Sequence, residues 1–403
     1  MMKIIKILAL LLLVVIGWIA VFQGDKVERL YHTMTLFDGD KIVHNFSNMR
    51  EVAPTVEIKP STDASKFDSQ PAPLPIAFTY KSEQSVEEYL ARTSTTALLV
   101  LKDGSVTYEE YYQGTKDTDY RISWSVAKSF LSALFGIAVE EGDIKSIEQS
   151  VTEYVPELVG TGYDGVRIKD VLQMSSGVAF NEDYYDFNSD INRFGRTFAL
   201  GGSFDDFAAS LKNEKEPGTF LHYVSIDTHV LGMVLRAATG REIADYFDDK
   251  LWSKIEPESS TYYIVDDENE PMVLGGLNMR TRDFARFGLL YLNNGKWKDE
   301  QVIPEAWVKA SVTPDAPHLV PGERDNSYIN LGYGYQWWIP ENADQEFYAI
   351  GIYGQFIYVN QKANVVIVKN SAHLEFADND YESFFEVIAF CREVVKSLEM
   401  IES

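Results

Sequence analysis

Ser125-Val126-Ala127-Lys128 is the only S-x-x-K in this chain, and its spacing is chemically useful. On a helix, residues three apart share a face with Cβ atoms about 5–6 Å apart, so the lysine amine can reach the serine hydroxyl one turn earlier. A base can then touch a nucleophile. Serine in a first helical turn also sits among unpaired backbone N–H groups able to hold a developing oxyanion. The lysine must first lose its charge. At an ordinary pKa of about 10.4 only about 0.04% of the amine is neutral at pH 7, and lowering it by ~3 units takes about 4 kcal/mol of desolvation or cation repulsion. The flanking Trp124 and Phe130 make desolvation plausible, and a neighbouring tyrosine could share the proton. By composition about one S-x-x-K is expected by chance in a chain this long, so the spacing alone also fits a serine N-cap with a solvated lysine.

The elements that must position this pair are legible on either side of it. TALLVLKDGSVTYEEYY reads as two strands joined at Asp103-Gly104, a dipeptide that accepts the positive φ angles of a tight hairpin. From Ser125, apolar residues Val126, Phe130, Leu131, Leu134, Phe135 and Ala138 recur at helical spacing, and Gly142 closes the pattern as a C-cap. The region 143–333 is expected to be mostly helical, with helices over Ile168–Met174, Ser203–Leu211, Asp227–Ala238 and Thr281–Leu292. Strands are expected over Tyr335–Ile339, Glu346–Ile350, Phe356–Val359 and Val365–Lys369, followed by a closing helix over Tyr381–Leu398. Sheet at both ends with helices between predicts an α+β fold: an antiparallel sheet assembled from distant pieces of chain and flanked by helices, with a helical insertion and a cleft between the two. Residues 25–93, with Pro54, Pro60, Pro71, Pro73 and Pro75, read as an irregular wrapping segment.

SWSVAKSF, followed by a helix and a later MSSGV, resembles the serine β-lactamase-related hydrolases, in particular the class C β-lactamase group with its esterases, D-alanyl-D-alanine peptidases and 6-aminohexanoate-dimer hydrolases. The resemblance covers about residues 80–395 and implies a β-lactamase/transpeptidase-like domain over 94–400. LHYVSIDTHVLG supplies the family's Y-x-S motif as Tyr223-Val224-Ser225, and GGLNMRTRDFARFGLLYLNNGKW and YGYQWW are similar to its later landmarks. The resemblance implies Ser125, Lys128 and Tyr223 as catalytic residues, acyl transfer through a covalent intermediate, and no cofactor. Where β-lactamases carry K-T-G, this chain has Gly351-Ile352-Tyr353-Gly354-Gln355, similar to the G-x-x-G-Q form of the esterase and amidase branch. That departure puts recognition of a β-lactam carboxylate in doubt. By family position, the backbone N–H groups of Ser125 and Gln355 would form the oxyanion hole, with Tyr353, Gly354 and Ser225 as candidate pocket residues.

Composition narrows the partners. The chain of 403 residues carries 36 Lys and Arg against 61 Asp and Glu, a net charge of −25, which argues against nucleic acid and disfavours anionic substrates and acidic membrane surfaces. The one cysteine, Cys391, excludes an intramolecular disulfide and reads as a small buried hydrophobe. Six histidines show no tight metal-ligand spacing, and His222 and His229 around Tyr223 read as supporting or structural residues. Asp227 could organise the site or cap a helix. No G-x-S-x-G or nucleotide P-loop occurs.

Lys3 and Lys6 precede an apolar run, Ile7 to Phe22, that is expected to enter a membrane. Residues 1–24 therefore read as a signal segment or, because Trp18 and Phe22 occupy the −3 positions of the available cleavage sites, as an anchor formed by residues 4–22. Either way the domain is expected to be exported to the periplasmic or extracytoplasmic side. The function expected is hydrolysis of a small ester or amide; the alternative from another class is an anchored, non-catalytic protein that binds a peptide or cell-wall fragment.

Overall fold

The computed structural model describes residues 24–61, 64–324 and 329–402. The expected membrane-entering run, 4–22, lies outside the described residues, and among those described no helix is long and apolar enough to cross a membrane.

The framework is a seven-stranded antiparallel sheet in the order Gly332–Tyr333, Trp338–Ile339, Glu346–Gly351, Gln355–Asn360, Val365–Ser371, Thr95–Lys102, Ser105–Tyr111. Its seam joins the two ends of the domain: Val365 pairs with Lys102 and Lys369 with Leu98. Asp103 and Gly104 take φ of 51° and 79° and close the hairpin between the last two strands in that order. The central strands are buried along nearly their whole length rather than at alternate residues, because helices cover both faces. Helix Thr281–Leu292 packs on one face, where a Cβ on Gly288 would lie 2.5 Å from Val366 and 2.9 Å from Ile357. The terminal helix, Asp378–Glu402, covers the other through contacts such as Phe384 on Phe356. Helix Ala127–Glu141 runs behind the first of these layers, with Phe130 stacked on Phe287 at 3.6 Å. Gly142 ends it in the left-handed conformation.

Three expectations need correction. The segment 25–93 is not irregular: it contains helices Gly24–Met34, Ile42–Ser47 and Val86–Arg92 and strands Thr55–Ile58, Ala77–Tyr80 and Ser82–Ser85. Its prolines mark the joints between short elements. Thr55–Ile58 becomes a strand by pairing with Thr261–Ile264, about two hundred residues away, which no local pattern can reveal. The region 143–333 is likewise not all helix, since Thr261–Ile264 and Leu277–Met279 join Thr55–Ile58 and Arg121–Ile122 in a second, four-stranded sheet. The strand expected over Tyr335–Ile339 shrinks to Trp338–Ile339 because Gln336 adopts φ 63°. The closing helix runs where expected, set off from Asp378 by a kink at Asn379, Asp380 and Tyr381, all at positive φ.

Candidate active site

Ser125 sits in a 3-10 turn, Trp124–Val126, that runs into helix Ala127–Glu141. The preceding Trp124 is held at φ 42°, a left-handed conformation unfavourable for a bulky residue. This turn is fixed from two sides. The Ser123 N–H donates to the Leu277 carbonyl at 2.8 Å, and a Cβ on Gly351 would lie only 2.5 Å from the Ser123 carbonyl, so the sheet edge touches the turn at a residue that must stay small.

One turn along, the Lys128 Nζ lies 3.3 Å from Ser125 Oγ and 2.7 Å from the Leu274 carbonyl oxygen. Only 1% of Lys128 is exposed. Burial lowers its pKa to about 7, and the nearby carboxylates of Glu182 and Asp227 oppose part of that shift. The lysine is thus a buried amine poised near neutrality, not a solvated surface cation. Leu274 opens the stretch Leu274-Gly275-Gly276-Leu277, which explains physically why that landmark accompanies the serine and lysine.

Tyr223 completes the cluster. Its phenol lies close enough to the Ser125 hydroxyl for that group to favour the ionised form, and its ring faces the Lys128 amine at 5.5 Å. Burial and the Glu182 carboxylate push its pKa above the ordinary value, so it is a neutral proton donor at rest. The ring is clamped by stacking on Trp338 at 5.4 Å and edge-on contact with Tyr333. Its backbone is tied to MSSGV: the His222 N–H donates to the Met174 carbonyl at 2.8 Å, and Met174 itself takes φ 51°. Gln336 of YGYQWW binds three helices together. Its carbonyl accepts from Ser129 Oγ, its Oε1 accepts from Thr228 Oγ1, and its Nε2 donates to the Leu172 carbonyl.

Glu182 was missed by the sequence reading. Its carboxylate accepts from Ser225 Oγ at 2.6 Å, the Ser225 N–H at 3.2 Å and Tyr184 Oη at 2.7 Å, and burial raises its pKa against the pull of Lys128. Its only sequence signal is a position in an acid-rich loop, NEDYYDFNSD, with nothing to set it apart from its neighbours. Asp227 is fully buried, accepts from Tyr163 Oη at 2.9 Å, and has its pKa raised by burial. It interacts electrostatically with the lysine and stands in the first turn of helix Ser225–Thr239, whose cap position is Val224.

These residues open on a cavity of about 440 Å³ lined by Ser125, Glu182, Tyr184, Tyr223, Trp338 and Ile352, among others. Tyr353, Gly354 and Ser225, expected on its wall, do not line it. Tyr353 turns away to stack on Phe37 at 4.8 Å and to contact Phe46 and Trp124. Gly354, at φ 85°, lies against Ser371, where a Cβ would approach to 2.9 Å. Ser225 holds Glu182 instead of facing the cavity. Gln355 is buried to 1% exposure and spends its side chain on the Ser371 carbonyl and Asn370, while Ile350 and Ile352 of the same hairpin face the cavity. His222 reaches the wall, whereas His229 is bound to Asp205 at 2.7 Å outside it. No group of His, Cys, Asp and Glu suited to a metal occurs among the described residues, and Cys391 is buried.

Comparison with known proteins places this arrangement. Residues 83–383 match the Beta-lactamase family. The chain is 30% identical over 355 residues to a 6-aminohexanoate-dimer hydrolase of Paenarthrobacter ureafaciens, covering 84% of this chain and 88% of that one. Among solved structures, one from Bacillus anthracis, provisionally described as a 6-aminohexanoate-dimer hydrolase, superposes with a TM-score of 0.80 at 24% identity, covering 91% and 96% of the two chains. A family VIII carboxylesterase gives 0.55 at 14% identity over 75% and 92%.

Proposed function

Because this chain belongs to the beta-lactamase family, we propose that its Ser125, Lys128 and Tyr223 carry out acyl transfer through a covalent intermediate. The protein is a serine hydrolase of the ester and amide class. The observation that carries the mechanism is the buried Lys128 amine, 3.3 Å from Ser125 Oγ with a pKa near 7. The neutral fraction of that amine takes the Ser125 proton as Oγ attacks the substrate carbonyl, and Tyr223 relays a proton to the leaving group. Water, activated by the same base, then attacks the acyl-enzyme carbonyl, releasing the acid and restoring Ser125. The oxyanion is held by the backbone N–H of Ser125 and by a second N–H from the hairpin edge. Ile352, which lines the cavity, is a second candidate for that role beside Gln355, the residue at the family position.

The substrate is a small ester or amide. The cavity wall carries Glu182, Asp183 and Asp380 among aromatic and aliphatic residues and, among the described residues, no arginine or lysine, which favours neutral or cationic substrates over a β-lactam carboxylate. The aminohexanoate-dimer relative fits an amide of this kind. Residues 4–22 would hold the protein to a membrane, with the domain on the extracytoplasmic side. A fluorophosphonate probe on the full-length chain is expected to label Ser125. Ser125→Ala is expected to lower kcat/KM for p-nitrophenyl esters by about 10³-fold or more with an unchanged melting profile; a variant that still hydrolyses them would refute the assignment.

A further inference from the structure

Helix Gly24–Met34 presents the wrong side to solvent. Val27, Tyr31 and Met34 are 50%, 57% and 74% exposed, and their spacing of four and three residues aligns them in one stripe. The opposite side carries a buried cation, Arg29, with the half-exposed Lys26 at its edge. Arg29, 9% exposed, donates to Asp267 Oδ1 at 2.6 Å and to the Phe198 carbonyl, and Lys26 lies 3.2 Å from Asp267. A helix on the surface of a soluble domain normally turns its apolar stripe inward and its charges out. Single exposed apolar residues are ordinary, but an apolar stripe backed by a buried arginine is not.

The preceding chain says what covers this stripe. The apolar run ends at Phe22, and one residue, Gln23, separates it from the first residue of the helix. A segment that leaves a bilayer at Phe22 delivers the helix to the lipid–water boundary, where an apolar face with a tyrosine on it is at home. We propose that the Val27, Tyr31 and Met34 face lies on the lipid surface, so that the helix is an in-plane foot for the enzyme; this rests on the reading of residues 4–22 as an uncleaved anchor. The Asp267 pairing fixes the foot to the domain, and the chain after it enters the core at Leu36, 4% exposed, while the exposed Phe37 stacks on Tyr353. The domain is thereby held in one orientation instead of tumbling on a tether. With a net charge of −25 the protein needs no anionic lipid for this, and zwitterionic lipid is the better host.

The test uses the full-length chain in phosphatidylcholine vesicles. Val27→Cys, Tyr31→Cys, Met34→Cys and the control Ile76→Cys, at a site 91% exposed, each carry an environment-sensitive fluorophore, the native Cys391 being buried. The three helix labels are expected to be quenched by nitroxide on lipid headgroups and to lose iodide quenching by about threefold or more relative to Ile76→Cys. Equal iodide quenching at all four sites overturns the proposal. So does iodide shielding without nitroxide quenching that fades as the protein-to-lipid ratio is lowered, which would identify a second copy as the partner. Failure of the chain to float with vesicles removes the anchor and the foot together. Hydrolysis of a soluble ester, measured on the same samples, reads the proposed activity independently of either result.

Discussion

At the scale of single residues, the central fact is that one lysine is kept near its titration point by burial while two carboxylates pull the other way. The proposed mechanism needs the neutral amine, so kcat/KM is expected to rise with pH through a half-maximal point near pH 7. Glu182→Gln removes one of the charges that favour the protonated amine and is expected to move that rise to lower pH; an unmoved profile would confine Glu182 to holding the loop. The same burial has a stability cost. The folded-state pKa of Lys128 lies below its unfolded value, so the unfolded chain binds the extra proton between about pH 7 and 10.5. The penalty is fully present below that window and fades as pH rises through it. Lys128→Met is therefore expected to be inactive yet more stable relative to wild type at pH 6 than at pH 10, by on the order of 2–4 kcal/mol in urea denaturation. The serine and lysine could be picked out in the sequence because their partnership is local, one turn of one helix. Glu182 could not, because its importance comes from the Ser225 and Tyr184 groups that receive it.

At the scale of elements, the site is a meeting of a helix start with a sheet edge. Strand Glu346–Gly351 ends where a Cβ would strike the Ser123 carbonyl at 2.5 Å, against backbone that cannot swing aside. Gly351→Ala is expected to displace the hairpin from the Ser125 turn and lower kcat/KM by about tenfold or more, while shifting the melting temperature only a few degrees. Equal activity would mean the hairpin edge takes no part in holding the oxyanion. The hairpin also shows where motif reasoning slipped by a few positions. G-x-x-G-Q was recognisable as a landmark, but which of its residues face the cavity depends on the direction of the turn. Tyr353, at φ 58°, rotates its ring onto Phe37 and Phe46 and leaves Ile352 on the wall.

At the scale of the whole molecule, distant segments are fastened by buried charge. Arg286, fully buried, donates to Asp283 Oδ1 at 3.0 Å, to Glu258 Oε1 at 2.8 Å and to the Ser65 carbonyl, and its guanidinium lies over Phe67. It thus pins the segment before residue 68 to helix Thr281–Leu292. Arg286→Met strands the buried Asp283 carboxylate and is expected to cost about 3–5 kcal/mol in chemical denaturation, with part recovered in the Asp283→Asn double variant. The sequence by itself determined what periodicity and neighbouring residues can encode: the hairpin at Asp103-Gly104, helix Thr281–Leu292, and the serine and lysine one turn apart. Tertiary structure alone decided the strand pairing of Thr55–Ile58, the turning away of Tyr353, and the depression of the Lys128 pKa. Those outcomes depend on which remote surfaces exclude water from a group, and desolvation is a property of the packed chain with no local signature.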